Sequence, residues 1–453
     1  MYLMSKQNIR FWLGYHVIFN QGLRRPFFTA KAILLGLGSF GIVIAMGYLS
    51  VMAAGWRVGL LILYLAIPLV VSFVVLCMAL PTLIAKWLII LMAKVKIRLR
   101  KSPLVVIGIT GSYGKTSTKQ LLECVLKTKF RVFATGQSHN TLFSVAVDIV
   151  RFLSNEHTHA IIEYGAYKRG EIKQMTKLVD SQIAILTGIT KQHYGLFGSY
   201  ENLKKAKFEL LESLQPDGLA FINCEDKNTG EIQSMSNQYH IRWRCFETRK
   251  WKTGDFKTDK GYLSFWLQAA EKKLNIKTKL IGEIYIENIK SVLAVAEYME
   301  IPAGMIAEAL HSFEPTDYFI SQSTGLNQST LLDDGGTTNP QGFKSAIRVA
   351  ETMQYAKKIL VTSGIVDLGV ESAREHAELG EMAGKVFNMV FYTGAEGFEP
   401  FWKGWNKISD GKPIFQIWEN SDLGSFQKEI DKNALVLIEG RLPIRVLKLL
   451  KPI

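Results

Sequence analysis

The stretch Gly108-Ile-Thr-Gly-Ser-Tyr-Gly-Lys-Thr-Ser-Thr-Lys119 decides the fold of this chain. It follows a short apolar, β-branched run at 104–107, which predicts a buried parallel strand. Apolar residues then recur at helical spacing up to residue 126. A strand, a glycine loop ending in Lys-Thr and a helix together are the context in which such a loop cradles phosphate.

The residue types in this loop suit a nucleoside triphosphate. Glycines let backbone N–H groups curl around phosphate oxygens, Lys115 would neutralise the β- and γ-phosphates, and the Thr116 hydroxyl would ligate Mg²⁺. An ordinary strand-to-helix turn that happens to contain Gly-Lys-Thr is the alternative, and the flanking elements disfavour it. The predicted nucleotide-binding residues are Gly111, Ser112, Gly114, Lys115, Thr116 and Ser117.

The 453 residues predict two or three folded units, and the net charge is +14. Much of the basic excess lies at Lys6–Lys31 and Lys86–Lys101, on either side of a strongly apolar stretch. That distribution favours a membrane anchor with basic ends over nucleic-acid binding. Two apolar runs, at about 32–55 and 58–80, are each long enough to span a bilayer, and 82–95 would lie in the interface.

The distribution of basic residues predicts the orientation. Arg57 is the charged residue of the connecting turn, so the positive-inside rule makes both ends of the helical hairpin cytoplasmic. A third crossing is the alternative, and it would put the phosphate loop outside the cell. Cys77, Cys124, Cys224 and Cys245 show neither a disulfide framework nor zinc spacing, which fits a reducing cytoplasm.

The loop departs from the general G-x-x-x-x-G-K pattern at Ile109, and its G-x-T-G-S-x-G-K-T spacing resembles the Mur ligase family. The strand His159-Ala-Ile-Ile-Glu-Tyr-Gly-Ala166 resembles the metal-binding strand of that family, which implies that Glu163 binds Mg²⁺. A carboxylate at a strand end beside a phosphate loop suits this hard cation. A solvated strand-end glutamate is the alternative.

Two later segments extend the resemblance. After a strand at 183–189, His193 matches a family histidine near the second metal, although Gly195 stands where a glutamate is usual. The helix after Ser199 resembles the segment whose lysine is carbamylated and supplies a carboxylate to Mg²⁺, which implies that role for Lys207. Without the resemblance, His193 would be a structural loop residue and Lys207 a solvated lysine. Asn140 matches a family loop that contacts substrate and phosphate.

The match weakens toward the C-terminus. Asn288 matches an asparagine that meets adenine, but Tyr318-Phe319 replaces a Gly-Arg pair whose arginine lies near the ATP phosphates. Asp333 and Asn339 match an Asp-Asp…Asn-Pro loop and are implied to bind the nucleotide. Glu439 replaces a lysine near the end of the terminal strand.

The predicted fold class is α/β. A membrane anchor at 1–102 would precede a central ATP-binding domain at 103–315 with a mostly parallel sheet. A Rossmann-like C-terminal α/β domain would follow at 316–453, as the alternation of strands and helices indicates.

The resemblance implies an ATP-dependent, ADP-forming acid–amino-acid ligase of cell-wall precursor synthesis, with ATP and Mg²⁺ as cofactors. Such a ligase phosphorylates a carboxylate and joins the acyl phosphate to an amine. The catalytic residues would be Lys115, His193 and Lys207, and the metal ligands Thr116, Glu163, His193 and Lys207. The closest resemblance within the family is to the ligases that add D-alanyl-D-alanine.

The partners expected are a peptide-bearing precursor, an amino acid or dipeptide donor, and a membrane, but no nucleic acid. The predicted anchor occupies the place of the family's uridine-nucleotide domain, which favours a lipid-linked acceptor. Two alternatives remain: a ligase of the same mechanism acting on another polymer or cofactor, and a membrane-anchored ATP-binding scaffold without activity.

Overall fold

This computed structural model describes residues 30–190, 197–259, 262–269, 271–334, 339–366, 368–417 and 423–451. The chain divides after Val95 into two units, Met1–Val95 and Lys96–Ile453. The helix α1, Ala30–Arg98, makes up the described part of the first unit and continues past the boundary. Its backbone is non-helical at Gly55 (φ 74°, ψ 162°), where the sequence predicts that the first membrane span ends.

Within the described residues, one segment of α1 is long and apolar enough to cross a membrane. It is Ser72–Arg98, with a mean hydropathy of 2.3. This segment contains 82–95, which the sequence analysis placed in the membrane interface, and only the end of the span predicted at 58–80. The pair of spans at 32–55 and 58–80 therefore stays a prediction.

The second unit begins with a six-stranded sheet that is parallel throughout, in the order β2-β3-β1-β4-β5-β6. The predicted strands at 104–107, 159–163 and 183–189 are confirmed as β1, β3 and β4. The bounds are β1 Val105–Thr110, β2 Val132–Ala134, β3 His159–Glu163, β4 Ile183–Leu186, β5 Leu219–Ile222 and β6 Trp243–Cys245.

Helices cover this sheet, and the first of them begins at its carboxyl edge, directly after the phosphate loop. Lys115–Leu126 (α2) packs against Ile286–Tyr298 (α7) and Ala303–Ser312 (α8). The remaining helices are α3 Leu142–Phe152, α4 Glu171–Thr176, α5 Tyr200–Glu212 and α6 Gly230–Gln238. Because β1 lies between β3 and β4, the chain leaves β1 at the switch point where α/β sheets place their ligands.

Between β6 and α7 lies an antiparallel sheet that the sequence analysis did not predict. Its strands are β7 Trp251–Asp259, β8 Tyr262–Ala269 and β9 Lys272–Ile281. Alternate residues of β8 are buried, and Leu263, Phe265 and Leu267 face the core. That period of two was the available signal.

The C-terminal part of the second unit contains the predicted Rossmann-like sheet. This sheet has six strands in the order β10-β11-β15-β12-β13-β14. The β10–β11 pair is antiparallel and the other pairs are parallel. Its strands are β10 Ser321–Thr324, β11 Thr330–Asp334, β12 Lys357–Thr362, β13 Met389–Thr393, β14 Ile414–Ile417 and β15 Ala434–Glu439. Its helices are α9 Pro340–Thr352, α10 Ser372–Val386, α11 Phe398–Ile408, α12 Gly424–Glu429 and α13 Ile444–Leu450.

Two of the cysteines are joined, which corrects the expectation that the chain carries no disulfide and removes the support that this expectation gave to a reducing location. Cys224 and Cys245 form a bond with their Cα atoms 5.4 Å apart, although 21 residues separate them. Cys224 follows β5 and Cys245 ends β6, and these strands are parallel neighbours in the sheet. Spacing along the chain did not reveal this pair because a parallel crossover brought the two residues together.

Candidate active site

The phosphate loop lies between the end of β1 and the first turn of α2. The Ser112 amide donates to the Gly188 carbonyl at 2.8 Å, which ties the loop to the segment after β4. A Cβ added to Gly111 would lie 2.1 Å from Thr187 Oγ1, so a side chain has no room there. Gly114 has φ 72° and precedes α2 in the left-handed conformation that glycine adopts without a steric penalty. The local backbone geometry therefore requires glycine at positions 111 and 114.

Lys115 begins α2 and turns back over its own loop. Its Nζ donates to the carbonyl of Gly111 at 2.8 Å and lies 3.5 Å from the carbonyl of Ser112. Burial lowers the pKa of Lys115, while the Glu163 carboxylate acts in the opposite direction. The cation is thus held beside the loop amides, where phosphate oxygens would lie.

Glu163 ends β3 and is the acidic centre of the site, with 1% of its surface exposed. Its Oε2 accepts from Thr116 Oγ1 at 3.0 Å, and its Oε1 accepts from Asn140 Nδ2 at 3.0 Å. Burial alone would raise the pKa of Glu163, but the charges of Lys119 and Lys115 and the Asn140 hydrogen bond outweigh it and lower the pKa. Three of the residues predicted for metal and substrate, Thr116, Asn140 and Glu163, thus meet at one carboxylate.

Lys119 is a further member of this site, for which the sequence pattern predicted no role. Its Nζ lies 3.2 Å from Glu163 Oε2 and donates to the Gly136 carbonyl at 2.6 Å, and it is almost fully buried. It follows Lys115 by four residues, so both lysines lie on one face of α2. That spacing was the signal that could have identified it.

Lys207 lies on α5 and is 4% exposed. Burial, followed by the nearby charge of Lys115, lowers the pKa of Lys207 to about 7. Its Nζ lies 5.9 Å from the centre of the Phe197 ring. An amine with this pKa is substantially neutral near pH 7, which an exposed lysine is not.

A small cavity of about 80 Å³ gathers these side chains. Its lining combines the phosphate loop (Gly111, Ser112, Lys115), the loop residue Asn140, the segment Gly165–Tyr167 and the helix residue Lys207. The cavity therefore joins the residues that would hold phosphate to those predicted to hold metal and substrate.

The oxygen donors present fit Mg²⁺, which takes one or two protein oxygens together with phosphates and waters. Thr116 and Glu163 supply a hydroxyl and a carboxylate 3.0 Å apart beside the phosphate loop. His193 falls within 191–196, outside the described residues, so its predicted place near a second metal is untested. The described part of the chain holds no group of three or more His, Cys, Asp or Glu side chains suited to a metal.

Asn288 is placed beside the phosphate loop. Its Nδ2 donates to the Gly114 carbonyl and to Thr118 Oγ1, both at 2.9 Å. It therefore fastens α7 to the start of α2. Its predicted contact with adenine stays a prediction.

The aromatic rings of Tyr285 and Phe319 pack against each other. Phe319, which stands where the family arginine is expected, is 1% exposed. Its ring centre lies 5.1 Å from that of Tyr285 and 5.3 Å from that of Phe313. The Tyr285 hydroxyl accepts from the Ile320 amide at 2.8 Å. An aromatic cluster thus stands where the family arginine is expected.

Asp333 and Asn339 do not line the cavity with Lys115 and Lys207. Asp333 pairs with Lys451, and Asn339 accepts from the Gly342 amide at 2.9 Å as the N-cap of α9. Nearby, burial and the Asp334 carboxylate raise the pKa of Glu439 well above its usual value. The residues between Asp334 and Asn339 lie outside the described part of the chain.

A phosphate loop at the switch point of a parallel sheet defines a P-loop α/β protein. Residues 109–296 match the family model "Mur ligase middle domain". The solved structure of MurF from Acinetobacter baumannii superposes with a TM-score of 0.70 at 21% identity, covering 80% of this chain and 79% of that one. MurF ligase from Thermotoga maritima in complex with ADP gives 0.66 at 21% identity, covering 80% and 83%. The chain has the α/β Mur ligase fold.

A similar protein by sequence is the UDP-N-acetylmuramoyl-tripeptide–D-alanyl-D-alanine ligase of Bacillus subtilis. It is 27% identical over 282 residues, which are 61% of this chain and 59% of that protein. The match thus spans less than two thirds of the length of that relative.

Proposed function

We propose that this chain is an ATP-dependent, ADP-forming ligase that joins an amino acid or dipeptide, D-alanyl-D-alanine in the first instance, to a carboxylate of a cell-wall precursor. The observation that carries the proposal is the convergence of Lys115, Asn140 and Lys207 on one cavity beside the Thr116–Glu163 pair. The family match over 109–296 and the named activity of the Bacillus subtilis relative support it.

The residues of the site would each have a separate role in such a reaction. The loop amides and Lys115 would bind the β- and γ-phosphates and stabilise charge on the transferring phosphoryl group. Asn140, which lines the cavity, would orient the acceptor carboxylate. The γ-phosphoryl group would pass to that carboxylate, ADP would leave, and the amine would displace phosphate from the acyl phosphate to give the amide.

Mg²⁺ held by Thr116 and Glu163 would supply positive charge at the phosphoryl group. Lys207 is suited to carbamylation because its pKa of about 7 makes the neutral amine available to CO₂. Uptake of CO₂ by the neutral amine would release one proton and leave a carboxylate at the end of the Lys207 side chain. The site would then gain a further oxygen ligand.

We infer the location of the reaction from the N-terminal helix and the basic residues around it. The apolar segment Ser72–Arg98 and the basic residues at Lys6–Lys31 and Lys86–Lys101 support attachment to a membrane, with the catalytic unit on the cytoplasmic side. The acceptor is then a lipid-linked or membrane-proximal precursor.

The test is phosphate release by the purified full chain in detergent. ATP and Mg²⁺ are supplied with D-alanyl-D-alanine and either a UDP-linked tripeptide precursor or its lipid-linked form. We expect release that requires both acceptor and donor and that is lost in Lys115→Ala. Lys127→Ala, a change at an exposed lysine just after the same helix, is the matched control.

The outcomes separate the alternatives. Equal use of soluble and lipid-linked acceptors would refute membrane-proximal specificity, and full activity in Lys115→Ala would refute the site. ATP binding without turnover on any acceptor would favour a scaffold, which the buried Phe319 in place of an arginine makes the second candidate. Turnover with other carboxylates alone would indicate a ligase for a different polymer or cofactor.

A further inference from the structure

The turn after β5 carries an aspartate whose contacts reach two functional loops. Asp226 Oδ2 accepts from the Tyr113 hydroxyl at 3.2 Å and from the Ile189 amide at 2.7 Å. Its Oδ1 accepts from the backbone and side-chain nitrogens of Asn228, both at 2.9 Å. Both oxygens are therefore engaged by donors, and only a carboxylate can accept at both positions.

The turn itself is anchored, so Asp226 is held in place from its own side. Asn223 Nδ2 donates to the Thr187 carbonyl at 3.0 Å, and the Thr229 hydroxyl donates to the Asn223 and Asp226 carbonyls at 2.6 and 2.8 Å. Two residues before Asp226, Cys224 is bonded to Cys245 on the neighbouring strand. A carboxylate on such a turn can fix the groups that it contacts.

The first group that Asp226 contacts belongs to the phosphate loop. Tyr113 is the residue before Gly114, and its ring lies against the backbone at Gly188, where an added Cβ would be 2.2 Å from the hydroxyl. Burial, followed by the charge of Asp226, raises the pKa of Tyr113, so its hydroxyl keeps the proton that it donates. The side chain is thus held between the turn and the segment after β4.

The second group belongs to the segment that follows β4. Ile189 precedes Thr190, whose carbonyl lies 3.4 Å from Ser112 Oγ, and Gly188 accepts from the Ser112 amide at 2.8 Å. Thr187 Oγ1 also donates to the Tyr113 carbonyl. The two loops are therefore bonded directly to each other, and Asp226 joins both of them to the β5 turn.

We propose that Asp226 is a positioning residue that holds the phosphate loop and the segment after β4 in register through Tyr113 and Ile189. It touches neither phosphate nor acceptor; it acts through the two loops. The inference rests on the proposed function for its kinetic readout. Its effect falls on nucleotide use, because the loop that it fixes is the phosphate loop and Asn140, which would meet the acceptor, lies outside the Asp226 network.

The experiment compares Asp226→Asn, Tyr113→Phe and the double variant in the full-length chain. We expect each single change to raise the KM for ATP about tenfold, as loss of one hydrogen bond to a charged group does. The acceptor KM should stay unchanged. Both changes remove the same hydrogen bond, between Tyr113 and Asp226. The increase in KM of the double variant should therefore be smaller than the product of the two single increases. Glu225→Gln, at the exposed neighbouring acid of the same turn, should behave as the parent chain.

A second measurement keeps the inference independent of turnover. Binding of a fluorescent ATP analogue, without acceptor, should weaken about tenfold in both single variants and not in Glu225→Gln. If the parent chain binds the analogue yet releases no phosphate with any acceptor, the proposed function fails and the binding data still decide on Asp226. Parent-like ATP binding in Asp226→Asn and Tyr113→Phe would overturn the inference. Tyr113→Phe leaves the turn after β5 intact, so it still tests the contact if Asp226→Asn fails to fold.

Discussion

At the scale of single residues, the buried ion pair between Lys119 and Glu163 is the main charge contact of the site. Its Nζ and the Glu163 carboxylate lie 3.2 Å apart, with 2% and 1% of their side chains exposed. Removing one partner of a buried ion pair leaves the other charge uncompensated, which costs about 3–5 kcal/mol. An exposed pair such as Lys127–Glu123 contributes less than about 1 kcal/mol.

Lys119→Met should therefore lower the free energy of unfolding by about 3–5 kcal/mol. Lys127→Met should change it by less than about 1 kcal/mol. Chemical denaturation of the full chain, followed by far-UV circular dichroism, measures both. Equal losses in the two variants would contradict the assignment of Lys119 to the site.

Lys207 gives the site a dependence on pH. Its pKa is lowered to about 7, so the ammonium form dominates below pH 7 and the neutral amine above it. Since only the neutral amine takes up CO₂, activity that depends on bicarbonate should rise as the pH increases from 6 to 8.

Lys207→Arg should lose about 10- to 100-fold of the activity, because a guanidinium stays protonated and cannot be carbamylated. Lys205→Arg, a half-buried lysine on the same helix, is the control. Labelling with ¹³C-bicarbonate should give a carbamate signal in the parent and in Lys205→Arg. The same signal in Lys207→Arg would contradict the assignment.

At the scale of elements, the Cys224–Cys245 bond ties the edge strand β6 to β5. A crosslink closing 21 residues limits the unfolded chain and stabilises the fold by about 3 kcal/mol in the chain-entropy account. The bond also holds the turn that carries Asp226.

Replacing both cysteines by serine should therefore lower the free energy of unfolding by about 3 kcal/mol, measured by denaturation without reductant. Cys124→Ser, at a free cysteine, should have a smaller effect. Mass spectrometry of the native protein should show one blocked pair. Full alkylation of Cys224 and Cys245 without reductant would rule the bond out.

The elements also show what the sequence could and could not predict. The strands β1, β3 and β4, the helix after the loop and the Rossmann-like second sheet follow from apolar runs, helical periodicity and the alternation of strands and helices. The β7–β9 sheet was missed although Leu263, Phe265 and Leu267 alternate. The Cys224–Cys245 bond, the Tyr285–Phe319 contact and the Asp226 network depend on which strands and loops become neighbours, and no local pattern carries that information.

At the scale of the whole molecule, the first unit differs from the second in what it exposes. Tyr48, Met52, Phe73, Leu83 and Trp87 of α1 are each at least 60% exposed. Large apolar side chains in such density mark a surface for a membrane or another apolar partner.

The full chain should sediment with membranes and resist extraction by alkaline carbonate, whereas a chain beginning at Lys101 should be released. Protease added to inverted membrane vesicles should digest the catalytic unit, because that unit is proposed to be cytoplasmic. Release of the full chain by carbonate would refute membrane insertion. Protection of the catalytic unit in inverted vesicles would refute the orientation.

Lys119 gives the acidic centre a counter-ion from within the chain, with its Nζ 3.2 Å from Glu163 Oε2. Where a structural metal holds a fold together, a chelator unfolds the protein. Here the charge of Glu163 is already paired with Lys119, and its oxygens accept hydrogen bonds from Thr116 and Asn140. EDTA should therefore stop phosphate release yet leave the melting temperature unchanged, and added Mg²⁺ should restore the full rate. Folding and metal loading would then be separate events, and the site could be emptied and refilled without passing through an unfolded state.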